Sequence, residues 1–193
     1  IFEGTNEINR LWAGDNAIKQ GMKGQYNLKE KVAEVMAMLS TLPATPSLEE
    51  DYFVNKRDLV QRFKNVALMI IGAAWEKFSR QLSSEQEILM NISDVLIGVY
   101  AAEAGLARVQ KLVEMKGEEN VSLYKDILDL YMYDTAHNIA KFSSDAIYSM
   151  DVEENSADLL KGLAYFTTTK PLNVKDARRR IADKLIDDNQ YKF

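Results

Sequence analysis

Cysteine is absent from these 193 residues, which excludes disulfides and thiolate metal sites and is compatible with a reducing compartment. Proline occurs three times and glycine nine, so little interrupts regular structure. A run of alternating strands is missing, and so is a Gly-rich phosphate loop. Gly21 and Gly24 form only a G-x-x-G between polar residues. Basic excess is missing as well. With 24 Lys and Arg against 29 Asp and Glu, the net charge is −5 and the isoelectric point about 5.1, which argues against general nucleic-acid binding, because counterion release needs a basic surface. The longest apolar run, Val66 to Trp75, is about half of the roughly 20 residues needed to span a bilayer, so no transmembrane helix is expected. The first residues also lack the basic start and apolar stretch of a signal peptide.

What the chain does have is helical periodicity. At 47% hydrophobic it can fill one well-buried domain with an appendage, and its apolar residues recur every three or four positions almost throughout. The spacing predicts an all-α fold: a first helix over about Asn6 to Gln20, a second over Leu28 to Leu42 that ends at Pro43, and a short linker to Pro46. Ser47 with Glu50 then reads as a capping box for a long helix reaching about Gln81, and Ser84 with Glu87 repeats the device. The helix after Ser84 carries Ile88, Ile92, Val95, Val99, Ala102, Leu106, Val109 and Val113 on one stripe, with Gly117 as its C-cap. Asn120 reads as the cap of a third long helix to about Met150, followed by a shorter one near Ala157 to Phe166 and a last one capped by Asn173. Three long helices joined by short connections must pack antiparallel, so the expected architecture is a helical bundle preceded by one or two helices.

The opening ten residues, IFEGTNEINR, carry the chemistry. Ile1 and Phe2 are an apolar anchor, Glu3 is a lone acid beside them, and Gly4 permits a close backbone approach. Thr5 reads as an N-cap, with Glu7 in a first turn whose dipole favours an acid. The string resembles, almost letter for letter, the signature of the flavin-dependent acyl-CoA dehydrogenases: Tyr or Phe, Glu, Gly, Thr, then Asn-Glu-Ile and a nearby Arg.

That resemblance implies specific roles. Glu3 matches the base that removes the α-proton of an acyl-CoA thioester while the β-hydrogen leaves as hydride to FAD, and the backbone N–H of Glu3 would help hold the thioester carbonyl. Gly4 falls at a substrate-binding position. Thr5 and Glu7 fall where the family contacts FAD, although the family often has Gln where Glu7 stands. Arg10 matches the pattern without an assigned chemical role. A base for so weak a carbon acid needs a pKa raised by partial burial, and the enolate oxygen needs preorganised donors; an acid flanked by Ile1 and Phe2 fits the first requirement.

The family places an N-terminal helical domain and a middle β-domain before this signature, so the chain reads as a C-terminal portion that begins near the catalytic glutamate. Residues 1–42 are expected to end the catalytic C-terminal domain, and 47–193 to form an additional helical bundle. In length and helical layout that extension is similar to the very-long-chain branch, whose extra domain covers a surface others use for tetramers and accompanies a homodimer. An electron-transfer flavoprotein is the implied acceptor. Without the preceding domains, no flavin binding and no turnover are expected of these residues alone. The implied compartment is the cytoplasm if bacterial and the mitochondrion if eukaryotic. A different reading makes the same chain a free-standing helical interaction or oligomerisation module without catalysis.

Other constellations have simpler explanations. Asp134 and His137 share a helix face, but carboxylate-bridged metal sites need that arrangement twice and His137 is the only histidine, so no metal is expected. Phe53, Phe63, Met69, Trp75, Phe78, Met90, Tyr131 and Phe142 sit at helical spacing and are expected in the core. Lys175, Arg178, Arg179, Arg180 and Lys184 give the last helix a basic face suited to an anionic membrane surface, opposed by Asp176, Asp183, Asp187 and Asp188.

Overall fold

A computed structural model describes residues 5–151 and 156–190. Among them there are seven α-helices and no strand, in agreement with the all-α expectation: α1 (Asn6–Met22), α2 (Leu28–Met38), α3 (Tyr52–Phe78), α4 (Gln86–Lys116), α5 (Ser122–Ser149), α6 (Ser156–Thr167) and α7 (Val174–Asp188). Helices α3 to α6 form an up-down-up-down bundle. Gly98 of α4 faces Thr135 and Ile139 of α5 while Gly105 faces Leu128, so those two run antiparallel. Gly162 of α6 lies on Met69 of α3, and Arg62 of α3 reaches the end of α6, which sets that pair antiparallel too. α1 lies across α4, α2 against α3, and α7 along α5.

The bundle core is built by the predicted stripe on α4. Ile88, Ile92, Val95, Val99, Ala102, Leu106 and Val109 are all buried, with Leu112 in place of the half-buried Val113. Opposite them Phe63, Val66, Met69 and Ile70 of α3 and Met132 of α5 are fully enclosed. Burying large apolar side chains of this kind stabilises by about 1.5–3 kcal/mol each before entropy is charged. Tyr131 departs from the expected core set: it is exposed on the outer face of α5, where a phenol keeps its hydroxyl in water at no cost. α4 is also, among the described residues, the one helix long and apolar enough by length and composition to cross a membrane, although its uninterrupted apolar runs are short. Here it is the central helix of the bundle, packed by α1, α3 and α5.

Three of the expected caps are replaced. Ser47 and Glu50 cap nothing; α3 starts a turn later, where the Asp51 carboxylate accepts from Val54 N–H at 2.8 Å, a charged acceptor at the positive helix end. Ser84 ends a 3-10 turn (Ser79–Ser84), and Glu85 precedes α4 without a side-chain cap. Asn120 likewise closes a 3-10 turn, and its side-chain amide donates back to Lys116 O at 2.7 Å. Gly117, at φ +82°, ends α4 as predicted, and Asn173 caps α7 by accepting from Asp176 N–H at 3.2 Å.

Polar contacts finish the packing. Buried Arg62 donates from Nε to Asp58 at 2.8 Å and from Nη1 to the carbonyl of Thr168 at 2.6 Å, so a cation closes the negative end of α6. At the other side of α3, Tyr52 donates to Asp129 Oδ1 at 3.0 Å, which Lys56 also meets at 2.7 Å, while Lys125 lies over the Tyr52 ring. Burial first, and then the Asp129 carboxylate, push the Tyr52 phenol well above its ordinary value of 10.0.

Phe63→Ala should lower unfolding free energy by about 3–5 kcal/mol in a urea titration, because a fully enclosed ring leaves a cavity. Tyr52 supplies a pH test. A raised folded-state pKa contributes stability that is complete below pH 10 and is lost as pH rises beyond it. Tyr52→Phe should therefore cost about 1 kcal/mol at neutral pH and flatten the alkaline limb of stability against pH.

Candidate functional site

The Glu3 and Gly4 expectations fall outside the described residues. The structure begins at their neighbour. Thr5 adopts extended backbone (φ −77°, ψ 155°), and its Oγ1 accepts from Ile8 N–H at 3.3 Å, so the predicted N-cap is present. Thr5 and Glu7 are both exposed, with Glu7 in the first turn. An exposed hydroxyl, and first-turn N–H groups without helical acceptors, give this helix end spare donors for a ligand rich in carbonyl or phosphate oxygens.

Below that end, α1 has two unlike faces. Arg10, Gly14, Ile18 and Gly21 recur at three- and four-residue steps and point into the fold; Gly14, Ile18 and Gly21 are buried. Arg10 Nη2 forms an ion pair with Asp94 Oδ2 of α4, the two side chains being 25% and 17% exposed. One residue earlier on α4, Ser93 Oγ donates to the Arg10 carbonyl at 2.7 Å. Gly14 lies so close to α4 that a Cβ there would come within 2.2 Å of Ser93 Oγ. Asp15 accepts from Ser83 Oγ at 2.8 Å, tying α1 to the turn before α4. On the opposite face Ile8 and Trp12 are 61% and 70% exposed. Ser93, Asp94 and Ser83 escaped the sequence analysis because nothing local marks them; the one available signal was Gly14, a glycine inside a helix.

The remaining candidates resolve into structural roles. Asp134 is paired with Arg178 at 3.2 Å, and His137 Nδ1 lies 2.8 Å from the carbonyl of Tyr133 on its own helix. Among the described residues no three His, Asp or Glu side chains converge as a metal site would need. The basic face of α7 is largely spent on acids. Arg180 makes a two-pronged pair with Asp126 at 2.6 and 2.7 Å, which raises its pKa further, Arg178 meets Asp134, and Lys184 meets Asp188 at 2.7 Å. Only Ala177 of α7 is buried, so the Arg178 and Arg180 pairs hold the helix to α5, while the Lys184 pair lies within α7 itself. A cavity of about 210 Å³ between α3, α5 and the segment after α6 is lined by Tyr52, Asn55, Lys56, Arg62 and Asp129, whose charges are already paired with one another or with Asp58.

The family model for the acyl-CoA dehydrogenase C-terminal domain matches residues 62–163. A probable acyl-CoA dehydrogenase of Bacillus subtilis (strain 168) is 28% identical over 195 residues, covering 99% of this chain and 32% of its own length. The crystal structure of an acyl-CoA dehydrogenase complexed with FAD from Bacillus anthracis superimposes with a TM-score of 0.92 at 28% identity, covering all of this chain and 32% of that one. The chain thus spans about a third of the length of these relatives.

Proposed function

This chain belongs to the acyl-CoA dehydrogenase family by its C-terminal domain, and we propose that it is the C-terminal part of an enzyme that oxidises a fatty acyl-CoA to the trans-2-enoyl-CoA. The observation that carries this is the Glu3-Gly4-Thr5 signature set directly before a helix whose cap is formed, in a chain whose whole length is similar to about a third of two acyl-CoA dehydrogenases, one of them complexed with FAD. Residues 1–42 close the catalytic domain, and 47–193 add a bundle that stabilises a homodimer. The family match at 62–163 lies downstream of the signature, inside that bundle, which supports treating it as a second helical unit of the same kind.

The division of labour follows from chemistry. FAD, when bound, supplies the hydride acceptor. Glu3 would take the α-proton, as the family resemblance implies, and its backbone N–H would donate to the developing enolate oxygen. Gly4 lets the backbone approach the thioester. Thr5 and Glu7 fit the cofactor side, because both are exposed at the start of α1 where donors are spare. An electron-transfer flavoprotein would be the acceptor that such a cofactor reduces.

Glu3→Gln in the complete enzyme should abolish reduction of bound flavin by acyl-CoA, a loss of at least about 10³-fold in kcat, with flavin content and melting temperature unchanged. Turnover that persists in that variant would remove Glu3 from the role of base. The 193 residues by themselves should bind no flavin; a yellow preparation would contradict the division of the site between this chain and preceding domains.

A further inference from the structure

The signature helix is held by the bundle at Arg10, the last residue of the signature, and at Gly14 one turn beyond it. Arg10 and Gly14 stand four residues apart on one face of α1, about 6 Å along the axis, and both are fixed by Ser93 and Asp94 of α4. The Ser93 hydroxyl fixes the backbone of Arg10, the Asp94 carboxylate fixes its side chain, and Gly14 allows the helices to touch. Together they determine both the slide of α1 along α4 and its rotation. Thr5 lies only five residues, about 7.5 Å, before Arg10. Arg10 Nε is buried without a hydrogen-bond partner among the described residues, and the carboxylate that meets the guanidinium there is Asp94.

We propose that Ser93 and Asp94 are positioning residues for the catalytic signature, acting through Arg10 and Gly14, so that the bundle sets the pose from which the base is presented. The proposal rests on the dehydrogenase reading above and extends it, because it makes the added bundle part of the catalytic geometry. A near-attack arrangement is steep: displacement by about 1 Å costs up to about 10²-fold in rate. A loosened clasp should therefore slow proton abstraction without altering how tightly the acyl-CoA binds.

The test is stopped-flow reduction of the bound flavin by acyl-CoA in the complete enzyme, with Glu3→Gln as reference. Asp94→Asn should slow reduction tenfold or more, with KM within threefold of the parent and with flavin content and melting temperature retained. Asp94→Glu should recover most of the rate. Ser93→Ala should slow it three- to tenfold and decides the matter if Asp94→Asn does not fold. Parent rates in Asp94→Asn or Ser93→Ala, alongside an inert Glu3→Gln, overturn the positioning role and leave the dehydrogenase reading intact. A rate loss that merely follows lost flavin or lowered melting also overturns it, since that is a structural effect. Undiminished reduction in Glu3→Gln defeats the reading itself and the proposal with it.

Discussion

The close approach of α1 to α4 is the contact on which the placement of the first helix, and with it the start of the described chain, depends. It exists because Gly14 has no side chain, and because the Arg10 guanidinium finds a carboxylate within reach. A helix this polar would gain little from burial alone; most of its length is exposed or half-buried, and only Gly14, Ile18, Gly21 and Met22 are covered. Its position is fixed instead by a few directional contacts, which specify orientation better than apolar area does. The opposite face, with Ile8 and Trp12, remains apolar and open, so α1 is two-sided.

Behind α1 the bundle is conventional and deep. α3 and α4 supply most of its enclosed side chains, α5 and α6 complete four sides, and the short turns force alternate directions. α7 is held differently. With Ala177 alone buried, it adheres to α5 through Arg178 and Arg180 on Asp134 and Asp126. Exposed pairs of that kind are worth little individually and are screened by salt, whereas a two-pronged pair such as Arg180 with Asp126 adds direction.

The sequence made the architecture legible because helical periodicity is a long-range signal: the α4 stripe from Ile88 to Val109 is the observed core face almost residue for residue. Helix ends were less legible. Ser47 and Ser84 each stand three residues before a glutamate, yet Asp51 and a 3-10 turn took over those starts, since the local capping pattern is decided by where the chain must enter the bundle. Thr5 and Asn173 were read correctly because a single side chain-to-backbone bond suffices there. The role expected of Glu3 rests on a resemblance carried by its neighbouring residues and lies outside the described residues. The clasp at Ser93 and Asp94 was invisible, because 84 positions separate Arg10 from its partner and no local pattern encodes that distance.

The proposed role of Glu3 is that of the base of a fatty acyl-CoA dehydrogenase, with this chain contributing one edge of the active site. The most direct test is the separation between the Glu3 carboxylate and the substrate α-carbon in a crystal structure of the complete protein with FAD and a non-reactive acyl-CoA analogue bound. A catalytic Glu3 should lie about 3–3.5 Å from that carbon, with the thioester oxygen facing the Glu3 N–H. A carboxylate turned to solvent, with the analogue bound elsewhere, would contradict it.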